Sequence, residues 1–127
     1  MKRFFLVSLL CASALTFAPE VQAKIVELTN VNEVNSLISK GNVVIDFYAT
    51  WCGPCKALSP ILNSLAAEHP QVTFVKINGD QFAQLGAQFG INAYPTLIFL
   101  KNGVRVEVAR GGRSKQDLKK MLNTLFA

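Results

Sequence analysis

Cys52 and Cys55 are the residues of this chain that are best suited to chemistry. They stand in the segment WCGPCK (51–56), and the third cysteine, Cys11, lies in an apolar stretch near the N terminus. Two cysteines three positions apart close a ring that is too short to hold distant parts of a fold together. The pair is therefore expected either to exchange electrons with other thiols or to bind a metal ion.

The position of the pair favours thiol chemistry. The near-continuous apolar run over 43–48 predicts a buried strand, and a helix is predicted to begin near Cys52. Unpaired N–H groups and the dipole at the start of a helix favour a thiolate, so we expect the pKa of the Cys52 thiol to lie below that of a free cysteine. Gly53 and Pro54 suit a tight first turn. One turn further on, Cys55 is expected to face inward, which leaves Cys52 as the exposed sulfur.

These two positions correspond to two roles in thiol–disulfide exchange. The Cys52 thiolate would attack a substrate disulfide as the nucleophile and form a mixed disulfide. Cys55, the resolving thiol, would then attack the Cys52 sulfur, release the reduced substrate and close the Cys52–Cys55 bond. Cys55 must lose its proton to do so.

Asp46 is the candidate for accepting that proton. It lies six residues before Cys52 in an otherwise apolar strand, where burial would raise its pKa and let it take up and release a proton near neutral pH. Alternatively, Asp46 is a structural carboxylate at a strand end, paired with Lys76 in a neighbouring strand. The two interpretations are compatible, since Lys76 would also tune the pKa of Asp46.

A metal site is the alternative use of the cysteine pair. Zinc usually takes four ligands, and beyond residue 23 the chain offers two cysteines and one histidine, His69. His69 precedes Pro70 at the predicted end of the helix, where we expect a solvent-exposed ring. The sequence therefore predicts no metal site and no cofactor.

The first 23 residues have the features of a secretory signal. Lys2 and Arg3 give a positive start, residues 4–18 are apolar and uncharged, and residues 21–23 (VQA) fit a cleavage site. We expect cleavage between Ala23 and Lys24, which removes Cys11 and leaves a domain over 24–127. An uncleaved membrane anchor is the alternative, although the apolar stretch is shorter than the roughly 20 residues that a spanning helix needs.

Composition indicates a single globular domain. The chain has 127 residues, of which 50% are hydrophobic and 17% are charged, and that balance suits a compact core. The formal net charge of +5 is mild, and no run of Lys and Arg exceeds two residues. We therefore expect no nucleic-acid partner, and we expect a monomer.

Apolar runs and turn signals alternate in the order βαβαβαββα. The predicted strands cover 25–28, 43–48, 72–77, 96–100 and 104–109, and the predicted helices cover 32–40, 52–68, 81–89 and 114–126. Asn102-Gly103 predicts a hairpin turn, and Pro60 is expected to kink the longest helix. The early βαβ units imply parallel strands and the late hairpin adds antiparallel ones. The expected class is α/β, a mixed five-stranded sheet flanked by about four helices.

The segment VVIDFYATWCGPCK (43–56) resembles the active-site segment of the thioredoxin family. Tyr94-Pro95-Thr96 stands at the matching distance downstream, and the likeness extends over nearly all of the chain after residue 23. The resemblance implies the thioredoxin fold and a protein-disulfide reductase that acts on protein disulfides. Asp46 and Lys76 match the family's buried Asp and its neighbouring Lys.

The resemblance also implies a docking surface for substrate peptides. By similarity, Pro95 is a cis-proline that faces the cysteine pair, presents the backbone of Tyr94 to a bound peptide and keeps metals away from the sulfurs. The positions that match the family's docking surface are Trp51, Gly53, Pro54, Ala93, Tyr94, Pro95 and Gly111.

The chain departs from the family pattern at several positions. Tyr48 stands where many members carry Trp, and Gly79 interrupts an Asn-x-Asp turn without a functional explanation from sequence. Arg110 and Arg113 flank a glycine pair where the family surface is usually more apolar. The two arginines are either solvated surface charge or the basis of a preference for acidic segments on a substrate or redox partner.

The leading functional hypothesis is an exported thioredoxin-like reductase in a bacterial periplasm. The Gly-Pro dipeptide between the cysteines resembles that of reducing members of the family. Cytosolic thioredoxin reductase cannot reach an exported protein, so a membrane electron donor is implied. The alternatives are a thiol oxidase or isomerase, and a binding module that uses the same surface without redox turnover.

Overall fold

The computed structural model describes residues 25–127. Its strands are β1 (Ile25–Glu27), β2 (Asn42–Tyr48), β3 (Val72–Asn78), β4 (Thr96–Lys101) and β5 (Val104–Arg110). Its helices are α1 (Val34–Ile38), α2 (Gly53–Glu68), α3 (Ala83–Gln88) and α4 (Lys115–Leu125), and a 3-10 turn over Val31–Glu33 precedes α1. The predicted order of elements is confirmed. The predicted signal, its cleavage point at Ala23–Lys24 and Cys11 lie outside the described residues.

The five strands form one mixed sheet in the order β1-β3-β2-β4-β5. β3 runs parallel to both β1 and β2, whereas β4 runs antiparallel to β2 and β5. The sheet is therefore parallel across β1, β3 and β2, which belong to βαβ units, and antiparallel across β2, β4 and β5, of which β4 and β5 form the hairpin. β2 lies at the centre, and the reactive segment follows directly from its end.

Two cores cover the two faces of the sheet, because alternate residues of β2 point to opposite sides. Val44 joins the core formed with α2 and α4, which contribute Leu58 and Leu118. Ile45 joins the core on the other face, where Leu85 of α3 packs. Asp46, two positions after Val44, consequently points to the side of α2.

The structure corrects the expected environment of His69. This side chain is buried, with 6% of its surface exposed. Its Nδ1 lies 3.0 Å from the Leu65 carbonyl oxygen and its Nε2 lies 3.2 Å from Oδ1 of Asn123 in α4. The prediction of an exposed helix end was wrong because α4 packs over the end of α2.

Pro60 lies within α2, on its exposed side. None of the helices formed by residues 25–127 has both the length and the apolar character required to cross a membrane.

Candidate active site

The cysteine pair lies where the chain leaves β2 and enters α2. Cys52 is the N-cap residue of α2, and its Sγ accepts a hydrogen bond from the Cys55 backbone N–H at 3.2 Å. Pro54 occupies the first turn, where its missing N–H leaves no helical bond unmade. The two sulfurs form a disulfide, with the two Cα atoms 5.3 Å apart. The Cys52 sulfur is thus held at the positive end of a helix dipole.

The two cysteines do not differ in exposure, in contrast to the prediction. Cys52 is 5% exposed and Cys55 is 6% exposed. The closed disulfide holds both sulfurs against Ala49, and the rings of Tyr48 and Tyr94 pack on this group. The distinction between an attacking and a resolving cysteine therefore depends on their positions relative to the helix start, not on their burial in the disulfide form.

Asp46 is the buried carboxyl of this region. The residue is 3% exposed, and its Oδ1 has no hydrogen-bond partner among the described residues. Burial raises the pKa of Asp46 to about 6, Lys76 opposes that rise, and the negative charge of Glu27 adds to it. An acid with this pKa can exchange a proton near neutral pH, as the sequence suggested.

Lys76 lies beside Asp46 without forming an ion pair with it. The two residues are directly opposite in the parallel β2–β3 register, yet they are absent from the ion pairs within 4.0 Å in the described part of the chain. The Lys76 ammonium instead lies 4.6 Å from the centroid of the Tyr48 ring. Lys76 thus acts on the pKa of Asp46 through its charge, and the predicted direct pairing of the two side chains is not formed.

The predicted docking residues converge around the disulfide. Trp51 is 69% exposed, and its ring packs edge-on against the Tyr94 ring with centroids 6.1 Å apart. The Tyr94–Pro95 peptide bond is cis, as the resemblance implied, and the Gly111 N–H donates to the Pro95 carbonyl at 2.9 Å. Gly53, Pro54 and Ala93 are exposed at the same end of the sheet. The surface therefore places the exposed Trp51 ring and the cis Tyr94–Pro95 segment at the end of the sheet where the disulfide lies.

Two residues missed by the sequence reasoning shape this surface. Asp80 accepts a hydrogen bond from Trp51 Nε1 at 2.8 Å and fixes the orientation of the indole. A Cβ atom built on Gly79 would overlap the hydroxyl oxygen and two ring carbons of Tyr94. Gly79 is needed because Tyr94 lies against its Cα atom. The only signal in the sequence was an unexplained glycine between Asn78 and Asp80.

A third missed residue is Glu27 on β1, which accepts a hydrogen bond from the Tyr48 hydroxyl. Burial of the hydroxyl and this hydrogen bond raise the pKa of Tyr48, so the phenol stays protonated and donates. No local pattern in the sequence indicates this contact, since the two residues are 21 positions apart. Within residues 25–127, His, Cys, Asp and Glu side chains do not form a group of three or more that could hold a metal ion.

Comparison with known proteins gives a consistent result. The family model described as Thioredoxin matches residues 19–124. A curated thioredoxin from Chlamydia muridarum is 41% identical over 98 residues, covering 77% of this chain and 96% of that protein. One from Mycoplasmoides gallisepticum is 40% identical over 96 residues, covering 75% and 96%. Among solved structures, a mutant thioredoxin from Halobacterium salinarum is similar with a TM-score of 0.77 at 28% identity, covering 83% of this chain and 93% of that chain.

Proposed function

This chain belongs to the thioredoxin family, and from that premise we propose that it reduces protein disulfides after export to a bacterial periplasm. The family and the cysteine pair make it a thioredoxin-type protein-disulfide oxidoreductase. The direction of electron flow and the compartment are the proposed part. The observation that carries the function is the Cys52–Cys55 bond at the start of α2, on the side of the sheet that also holds the buried carboxyl of Asp46.

Reduction proceeds by two exchanges at the sulfurs. The Cys52 thiolate attacks one sulfur of the substrate disulfide, and the other substrate sulfur leaves as a thiolate that takes up a proton. Cys55 then attacks the Cys52 sulfur, which releases the second substrate thiol and forms the Cys52–Cys55 disulfide. The substrate disulfide gains two electrons, and the dithiol of the enzyme loses them.

The second exchange requires a proton acceptor for Cys55. Asp46 suits that role because its pKa of about 6 allows its ionised form near neutral pH to receive a proton. A pocket of about 210 Å³ is lined by Cys55, Tyr48 and Lys76, and it is large enough to hold water beside Cys55. In this proposal the proton passes from Cys55 to Asp46, and water in the pocket would provide its route.

The reducing direction and the exported location are supported by sequence. Gly53-Pro54 between the cysteines resembles the dipeptide of reducing family members, and residues 1–23 have the features of a cleavable signal. The relative from Chlamydia muridarum aligns over 96% of its own length but over only 77% of this chain. Part of this chain therefore has no counterpart in that relative, and an export signal would account for such a segment.

An exported reductase needs electrons from outside the cytosolic pool. We therefore place a membrane-embedded dithiol donor upstream of Cys52–Cys55, because a periplasm is oxidising and otherwise leaves the pair as a disulfide. Arg110 and Arg113 are exposed beside Gly111, whose N–H is bonded to Pro95. Their charge favours acidic segments on the donor or on substrates.

Trapping tests this function most directly. In Cys55→Ser the second exchange is blocked, so Cys52 is expected to retain substrates and the donor as mixed disulfides that dithiothreitol releases. Cys52→Ser is the matched control and should retain none. The purified protein should also reduce insulin disulfides with dithiothreitol as the electron source. Full biological activity in the variant lacking both cysteines would instead favour a redox-silent binding module, and a strongly oxidising potential of the pair would favour an oxidase or isomerase.

A further inference from the structure

Three charged side chains lie side by side across three strands, next to the cysteine pair. In the register of the sheet, Lys76 of β3 is directly opposite Glu27 of β1 on one side and Asp46 of β2 on the other. Residues that are opposite in paired strands point to the same face, so all three lie on the side of α2. One cation is thus placed between two carboxyl groups, one exposed and one buried.

Tyr48 connects Glu27 to Lys76 within this row. It lies two positions after Asp46 on β2 and so points to the same face. Its hydroxyl donates to the Glu27 carboxylate, and the Lys76 ammonium lies 4.6 Å from the centroid of its ring. The hydrogen bond fixes the phenol, and the phenol in turn gives Lys76 a favourable aromatic face away from a direct contact with Asp46.

The surroundings of Asp46 offer few other charges. Lys76 faces it from β3, Glu27 from β1 and Tyr48 from its own strand, while Leu97 is its partner on β4. On α2, Cys55 and Lys56 line the pocket that also contacts Lys76. Of these groups, Lys76 lowers the pKa of Asp46 and Glu27 raises it.

We propose that Glu27 is a positioning residue for proton transfer at the cysteine pair, because it holds Tyr48 and, through Tyr48, keeps Lys76 over the phenol ring and out of contact with Asp46. The inference rests on the proposed role of Asp46 as the proton acceptor for Cys55. Glu27 contributes in two separable ways. Its charge repels the ionised form of Asp46, and its hydrogen bond fixes the ring on which Lys76 lies.

Two substitutions separate these contributions. Glu27→Gln removes the charge but leaves an oxygen that can accept from Tyr48, whereas Tyr48→Phe keeps the charge and the aromatic ring but removes the hydrogen bond. Glu33→Gln is the matched control, since Glu33 is also an exposed carboxylate and makes no side-chain hydrogen bond with the Asp46 region among the described contacts. None of these changes removes a sulfur or Asp46.

The primary readout is the titration of the Asp46 carboxyl carbon, followed by NMR in the oxidised full chain. Glu27→Gln is expected to lower the midpoint by roughly half a pH unit. Tyr48→Phe should also lower the Asp46 midpoint, but by less, and Glu33→Gln should leave the midpoint unchanged. The acidic limb of the pH profile for insulin reduction should move by the same increments.

The titration in the oxidised protein does not depend on turnover, so it is independent of the proposed reductase function. Unchanged Asp46 midpoints in both Glu27→Gln and Tyr48→Phe, with the fold retained by circular dichroism, would overturn the role of Glu27. A shifted Asp46 midpoint with an unshifted pH profile for insulin reduction would show that Glu27 acts on Asp46. It would refute a role of Glu27 in proton transfer. Loss of insulin reduction at every pH in the unmodified protein would count against the proposed function alone.

Discussion

Asp46 is an ionisable side chain at a position where the strand would otherwise favour an apolar one. Its neighbours on β2, Ile45 and Phe47, are completely buried, and Oδ1 of Asp46 has no partner in the described region. A buried polar group without a partner costs stability, so a sequence selected only for folding would not place one here. The cost is understandable if the carboxyl serves the resolving cysteine.

The penalty at Asp46 leads to a prediction about stability. The pKa is raised from 3.8 to about 6 on folding, so the folded chain binds the proton more tightly than the unfolded chain does. Ionisation of Asp46 does not affect the free energy of unfolding below about pH 4. It lowers that free energy increasingly as pH rises through about 6, by about 3 kcal/mol in the end. In the oxidised state, Asp46→Asn should therefore gain about this much stability relative to the wild type between pH 4 and pH 8.

Urea unfolding at several pH values measures this difference. Both proteins should be compared as disulfides, so that the redox state does not contribute. A stability difference that stays constant from pH 4 to pH 8 would contradict the raised pKa. Insulin reduction by Asp46→Asn should fall at the same time, since the variant can no longer accept a proton from Cys55.

The reactive residues could be predicted from local patterns in the sequence, whereas much of their surroundings could not. The spacing of Cys52 and Cys55 and the lone acid in an apolar strand are local patterns, and the structure places all three as those patterns suggested, at the helix start and in the buried strand. The equal burial of the two sulfurs and the contact between Tyr48 and Glu27 depend on packing between distant segments. Periodicity and spacing carry no information about such contacts.

At the scale of elements, too, features set by local patterns could be predicted, whereas features set by packing between distant segments could not. Asn102 and Gly103 both have positive φ, 51° and 80°, as a two-residue hairpin turn requires, so this turn could be predicted from the dipeptide. The predicted first helix was less accurate, because residues 31–33 form a 3-10 turn and α1 itself has only five residues. The burial of His69 could not be predicted, since it depends on where α4 packs.

Gly79 joins two elements, because it follows β3 and supports the ring of Tyr94 just before β4. Gly79→Ala forces Tyr94 to move and should reduce stability by about 1–3 kcal/mol. It should also raise the KM for protein substrates, because Tyr94 and Trp51 pack together at the surface where substrates are predicted to dock. Gly112→Ala is the control. Open space surrounds that position, so its effect should stay within about 0.5 kcal/mol.

A double-mutant cycle tests whether overlap with the Tyr94 ring causes the loss of stability in Gly79→Ala. In a Tyr94→Ala background the overlapping ring is absent, so the added methyl should cost little. The free energy of unfolding of the four proteins gives the coupling between the two positions. Additive effects of the two substitutions would show that the glycine is needed for a reason other than the Tyr94 ring.

At the scale of the whole molecule, the question is where the domain works. The structure explains what the cysteine pair can do, but the chemistry of exchange is the same in either direction and is decided by the reduction potential of the surroundings. A pair that meets an oxidising compartment needs a continuous supply of electrons to act as a reductant. If the export proposal holds, residues 1–23 determine the direction in which the pair works, because they decide which compartment it meets.

The export proposal predicts a defined cleavage product. When the full chain is expressed in a bacterium, the periplasmic fraction should contain a protein that begins at Lys24, as measured by intact mass. Leu9→Arg places a charge in the apolar stretch and should retain the full-length chain in the cytoplasm, whereas Leu9→Ile should be processed normally. A full-length chain that stays in the membrane fraction would instead establish the uncleaved anchor. Full-length chain in the cytoplasm for all three proteins would contradict export, and cytosolic thioredoxin reductase would then be the donor to test.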